Sequence, residues 1–299
     1  MYTLSSAILN AAYLGPNLSL PTVNPICSTA QCTWPNYGSL GICVGLKNVT
    51  DSANVFLLEA YFKEVVQQYY NLVVGLTTVY PAFILEWPSP SNLFNETVGR
   101  AAIVEHWIAF SNTMVNLTDY VNIDTSSFQF FAVAFFFCTK TLSSDVDVGV
   151  PHVSEVSSTV NILSSPVESL NYWWNTSLLS ANLTCGPPLA GTSMVLGGST
   201  GLTTETYAVD VCTSLIFSNF FGLVTEGVIL LGNDLAIEFE YGQMSQALSL
   251  ALFGEFNYQN RVIKDPATQF DAVMRMMENV AGGVTNVLVY PALSLFNGS

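Results

Sequence analysis

From Phe128 to Cys138 the chain reads FQFFAVAFFFC, apolar at every position but Gln129. With no polar face to give to water, such a run predicts a strand buried on both sides. Arg100 to Phe110 (RAAIVEHWIAF) predicts a second strand of the same kind. Leu235 to Tyr241 differs, because Ile237, Phe239 and Tyr241 alternate with Glu238 and Glu240, the period of a strand with one wet face. Other segments carry the helical period. Val55, Leu58, Phe62, Val65, Tyr69 and Leu72 form an apolar stripe that Thr50-Asp51 can open. After Asp210, a second stripe of Cys212, Leu215, Ile216, Phe220 and Leu223 would bury Cys212. The third is the best marked: Asp265 suits an N-cap and Pro266 the first helical position, Phe270, Val273, Met274, Met277 and Val280 share a face, and Gly282-Gly283 supplies a stop. Gln243 to Phe253 predicts a fourth helix.

Pro- and Ser-rich stretches at Trp87–Leu93 and Ser164–Ser169 read as linkers, and Gly186–Gly201 as a glycine-rich loop. Strands and helices do not alternate as βαβ units do, and no internal repeat is present. The pattern therefore predicts an α+β fold, mostly antiparallel sheet with several flanking amphipathic helices. A single domain is expected over 1–299, with residues 1–50 as its cysteine-rich first segment.

Charge narrows the partners. The 299 residues carry 22 acidic and only 7 basic side chains, for a net charge of -15. No Lys or Arg occurs in the 120 residues between Lys140 and Arg261. Nucleic acid is excluded, since its binding needs cations to neutralise phosphates. Half of the residues are apolar, which argues against disorder. No apolar run reaches the ~20 residues of a spanning helix. Leu72 to Leu85 is cut by Pro81, and Leu215 to Leu231 contains Asn219 and Glu226. Met1 to Pro21 lacks the basic start and apolar core of an export signal.

The remaining chemistry nevertheless points outside the cytoplasm. Six cysteines, at 27, 32, 43, 138, 185 and 212, are an even number compatible with three disulfides in many connectivities, buried free thiols being the other reading. Seven Asn-x-Ser/Thr acceptors begin at Asn17, Asn48, Asn95, Asn116, Asn175, Asn182 and Asn297. Random placement of the 23 Asn among 54 Ser and Thr would give about 4, so the excess is modest.

The most specific run is Cys27 to Thr50, CSTAQCTWPNYGSLGICVGLKNVT. Its Cys-x4-Cys-Thr-Trp-Pro block, Ser-Leu-x-x-Cys and Asn-Val-Thr resemble the signature of the fungal domain of unknown function 3176 family. Ala132 to Glu155 and Met277 to Val289 are similar to later segments of that family. The resemblance implies an extracytoplasmic domain at the outer side of the cell membrane, flanked by membrane helices in the parent proteins, with no established activity. Neither flanking helix lies within these residues. Leu46 and Val133 stand where the family pattern has two further cysteines. Their joint absence implies that one of two bridges is lost and that Cys43–Cys138 is kept. Cys27 with Cys32 and Cys185 with Cys212 complete the pairing that follows.

No catalytic constellation assembles fully. Gly197-Gly198-Ser199-Thr200-Gly201 matches a nucleophile elbow, which needs Asp and then His downstream, yet His106 and His152 both lie upstream. A flexible loop is the expectation there. Two histidines so far apart make no metal site, and Asp145-Val-Asp-Val-Gly reads as a turn rather than a calcium loop. No motif calls for a cofactor. Glu238 and Glu240, two apart on one strand face at about 7 Å, are the weak candidates for two-carboxylate glycoside hydrolysis; the alternation already explains them as the solvated face of an amphipathic strand. Tyr172-Trp173-Trp174 can stack on sugar rings or fill a core. Trp34 is read as structural. Two functions stand: a non-catalytic, disulfide-stapled and glycosylated surface domain that is structural or binds a cell-wall glycan or protein, and an acid-active secreted hydrolase.

Overall fold

The computed structural model describes residues 29, 31–57, 77–79, 83–86, 94, 96–115, 125–164, 193–199, 204–210, 217, 221, 227–232, 236–239 and 265–295. The apolar run at Phe128 opens the longest strand, β7 (Phe128–Asp147), buried from Phe130 to Thr139. Because that stretch offers no polar side, both of its faces and both of its edges are covered. On one edge β2 (Tyr37–Asn48) runs antiparallel, from Tyr37 opposite Leu142 to Asn48 opposite Phe131, and β1 (Cys32–Thr33) continues that edge. On the other edge β6 (Ala102–Val115), entered from the short helix α1 (Glu96–Ala101), takes the first half of β7. β8 (Val150–Thr159) takes the second half, after a turn at Val148 and Gly149. Beyond β6 come β12 (Gly227–Gly232), parallel to it, and β13 (Ala236–Phe239), antiparallel to β12.

Two smaller antiparallel sheets accompany this one: β9 (Ile162–Ser164), β10 (Ser193–Ser199) and β11 (Thr204–Asp210); and β3 (Asn54–Leu57), β4 (Thr77–Val79) and β5 (Phe83–Glu86). The first of them packs on the β2–β7 sheet. The Thr139 hydroxyl of β7 donates to the Gly197 carbonyl of β10 at 3.2 Å. Gly38 of β2 lies under the Glu205 carboxylate and the Tyr207 hydroxyl that donates to it; a Cβ at Gly38 would sit 2.7 Å from the Tyr207 oxygen. Burial, then the hydrogen bond and charge of Glu205, push the Tyr207 hydroxyl up and keep it protonated.

Aromatic rings carry the core. Phe135 stacks on Phe221 at 4.4 Å between centroids, Phe137 meets Phe217 edge-on at 6.3 Å, and Phe131 meets Phe270 edge-on at 5.4 Å. Phe270 belongs to α2 (Pro266–Leu295), which begins as the sequence predicts: Asp265 Oδ1 accepts the Ala267 and Thr268 N–H groups, each at 3.1 Å. The Thr268 hydroxyl and these amides hold that carboxyl below the usual carboxylate range. From Phe270 beside Phe131 to Thr285 beside Ile42, α2 advances 15 residues while β2 retreats six, both about 20 Å. The helix thus runs antiparallel along the free edge of β2. There Thr285 Oγ1 accepts the Ile42 N–H at 2.9 Å and donates to Ala281 O at 2.8 Å, closing an edge that would otherwise invite another strand. Thr285→Val keeps the shape but orphans this buried N–H, so a loss of about 1–2 kcal/mol is expected in urea unfolding. An unchanged midpoint would show that the edge bond contributes nothing.

Four expectations need correcting. Gly282-Gly283 does not end α2, because Val280, Ala281, Val284 and Thr285 stay buried on one side. Their burial offsets the roughly 1 kcal/mol that each helical glycine costs. The helix predicted to open at Thr50-Asp51 does not start there: a single 3-10 turn, Thr50–Ser52, leads into β3, which takes Val55, while Leu58, Phe62, Val65, Tyr69 and Leu72 lie outside the described residues. Thr50 is committed to the sheet instead, its hydroxyl accepting the Phe130 N–H at 3.0 Å. Within the glycine-rich loop, Ser193–Ser199 is strand β10. Its glycines serve close approach rather than flexibility, since a Cβ at Gly197 would lie 2.9 Å from Asn161 Nδ2. Finally, one long helix rather than several flanks the sheet among the described residues. The predicted helix over Gln243–Phe253 and the linker at Trp87–Leu93 lie outside those residues, as do Cys212 and the other named positions of the stripe after Asp210. Within that segment Phe217 and Phe221 are described, and both are buried.

Candidate functional site

Strand alternation sends Phe131, Phe135 and Phe137 to one face of β7 and Ala132, Ala134, Phe136 and Cys138 to the other. The second face holds the unusual chemistry. Cys43 stands opposite Phe136 in the β2 register and bonds diagonally to Cys138, with the two Cα atoms 5.8 Å apart. This is the pairing that the resemblance implied. Cys32 is disulfide-bonded as well, its partner being a cysteine outside the described residues. Next to the bridge, Gly45 lies under the ring of Phe94, where a Cβ would sit 2.9 Å from the ring edge; Lys47 places its Nζ 5.2 Å from the centroid of the same ring.

One cross-strand row on this face runs Gly45, Ala134, Glu105, from β2 through β7 to β6. Small neighbours on β2 and β7 leave a glutamate at the end of the row in apolar surroundings. Its Oε2 is buried and has no hydrogen-bond partner. Burial pushes the carboxyl up to about 7 from its ordinary 4.5, so it keeps a proton through mildly acidic conditions. Such a group can store a proton or donate a hydrogen bond. It does not form a general acid/base pair within its row, because Ala134 and Gly45 offer no second carboxylate. The sequence pattern draws attention to His106, which makes no metal site, and not to Glu105; the signal for Glu105 is a single acid within Ile103–Phe110, where His106 is the one other polar residue.

The other candidates do not converge. Glu238 lies on β13 opposite Ile229, and Glu240 is outside the described residues. His106 is on β6 opposite Val133, whereas His152 is exposed on β8 opposite Asp145. Asp145 and Asp147 belong to strand β7, so of the segment read as a turn only Val148-Gly149 forms it. Among the described residues no group of three or more His, Cys, Asp or Glu is placed to hold a metal ion, and no helix is long and apolar enough to cross a membrane. Asn48 is exposed at the end of β2. Asn17, Asn95, Asn116, Asn175, Asn182 and Asn297, Cys27, Cys185 and Cys212, and Tyr172-Trp173-Trp174 lie outside the described residues. Comparison with known protein families, curated proteins and solved structures finds no match to this chain.

Proposed function

We propose that this chain is a non-catalytic extracytoplasmic domain of a fungal surface membrane protein, structural or ligand-binding, with a cell-wall glycan or another surface protein as its partner. The observation that supports this most is the Cys43–Cys138 bond, which ties β2 to β7 across 95 residues. Disulfides persist in oxidising compartments and are rare in the cytosol. The bonded residues also lie in the two segments through which the chain resembles the fungal family. Glu105 agrees, because its neutral form suits acidic surroundings. Low charge agrees too, with glycans in place of lysines maintaining solubility.

The test uses an epitope inserted between Val148 and Gly149, a turn where Val148 is 78% exposed. Antibody is expected to label intact fungal cells that express the tagged protein. Labelling only after permeabilisation, with Cys43 and Cys138 alkylated without prior reduction, would overturn the reading.

A further inference from the structure

We infer that Asn48 carries an N-linked glycan and that it is attached before β2 pairs with β7. This rests on the extracytoplasmic reading above. Of the seven acceptor sequences, Asn48-Val49-Thr50 is the one whose folded geometry is described. Asn48 is exposed, and its amide is used from one side only: Oδ1 accepts the Thr50 hydroxyl at 2.7 Å and the Thr50 N–H at 3.0 Å. Nδ2 has no hydrogen bond among the described residues. The fold therefore employs the oxygen and leaves the nitrogen, the atom to which a glycan is joined. In the transfer, Nδ2 bonds to the anomeric carbon of a polyprenyl-diphosphate-linked oligosaccharide. The C–O bond to the diphosphate breaks, the electron pair leaves with the diphosphate, and one Nδ2 proton passes to the transferase. The Oδ1 acceptor is unchanged by this step, so the Thr50 contacts survive it.

Timing follows from what else Thr50 and Val49 do. The Thr50 hydroxyl accepts the Phe130 N–H at 3.0 Å, the Val49 N–H donates to Phe130 O at 2.9 Å, and Val49 is 5% exposed. Once folded, the acceptor sequence is fixed against the end of β7 and its middle residue is buried. A transferase that must grip all three residues reaches them only while β7 is absent. Phe130 is 80 residues further on, so the nascent chain offers that interval.

The experiment places the full chain behind a cleavable secretory leader in a eukaryotic cell, which delivers it to the lumen whatever its natural address. Glycosidase release in heavy-oxygen water followed by peptide mapping should show Asn48 converted to a labelled Asp in most molecules. Asn48→Gln and Thr50→Ala should each lose this label, whereas Thr50→Ser should retain it at lower occupancy. In parallel, folded unglycosylated protein from bacteria and its reduced, denatured form are offered to microsomes, and only the denatured form should be modified at Asn48. An unlabelled Asn48 on the luminal chain overturns the inference and leaves the surface reading standing. Equal modification of folded and denatured protein overturns the order of events. Occupied Asn48 together with a native protein that never reaches the surface overturns the surface reading instead.

Discussion

Replacing Cys43 and Cys138 together by alanine is expected to lower stability by about 4–5 kcal/mol, seen as a large fall in the urea midpoint. The bond joins residues 95 apart, and in the chain-entropy account the loss scales with the logarithm of that loop. Without it, the unfolded chain regains the freedom that the bridge removes, and every refolding event must close the loop before the β2–β7 ladder can form. The same account predicts a second signature. A less constrained unfolded state exposes more surface, so the slope of stability against urea should rise as the midpoint falls. Paired substitution is preferable to a reductant, because a reductant would also open the Cys32 bond. For a domain with an ordinary total of about 5–15 kcal/mol, the loss is a large share. A midpoint within error of the parent protein would show that the β2–β7 ladder holds without the bridge.

What the chain discloses about this architecture depends on whether the cause is local. The strand at Phe128–Cys138 was legible because an apolar run of that length has no solvent-facing alternative, and the start of α2 was legible because Asp265 and Pro266 act within one turn. The continuation of β7 to Asp147 was less so: after Lys140 it is polar and pairs with β8 through a turn at Val148 and Gly149, both at positive φ. Asn-Gly or Gly-Gly would have announced that turn, whereas Val148, at φ 49°, is a residue type that this region disfavours.

Long-range causes were invisible. Thr50 opens a helix by its local pattern, but bonds to Phe130 carry it to the sheet. Gly197 and Gly198 read as a flexible loop until β11 and Thr139 are set beside them. Nothing in the segment Gly227–Gly232 indicates that it lies parallel to β6. The Cys43–Cys138 bond was available only through resemblance, since the six cysteines alone leave many pairings open. Glu105 illustrates the same limit for chemistry: its strand was predicted, but a strand assignment does not say that the residues opposite are Ala134 and Gly45.

Raising the pH from about 4.5 to about 7 is expected to remove roughly 3 kcal/mol of stability through Glu105 alone, and Glu105→Gln should abolish that part of the pH dependence. Within this window the unfolded chain has released the proton of Glu105 while the native chain still holds it. The native state therefore binds more protons, and stability falls as pH rises. Below the window both states are protonated and the carboxyl costs nothing extra. Above it both are ionised, and the native state bears the full cost of a buried charge with no partner for Oε2. Other groups also titrate, and the net charge of -15 adds repulsion as the acids ionise, so the absolute curve of one protein does not isolate the effect. The difference between the parent and Glu105→Gln does, because nearly all of that background is shared. Urea midpoints measured at several pH values between 4 and 8 should nearly coincide at the acid end, where glutamine mimics the neutral acid. They should then diverge in favour of the variant, reaching a plateau above neutrality. Parallel curves would mean that the Glu105 carboxylate finds water or a counter-charge when it ionises, and the role of this residue as an acid-favouring element of the fold would be lost.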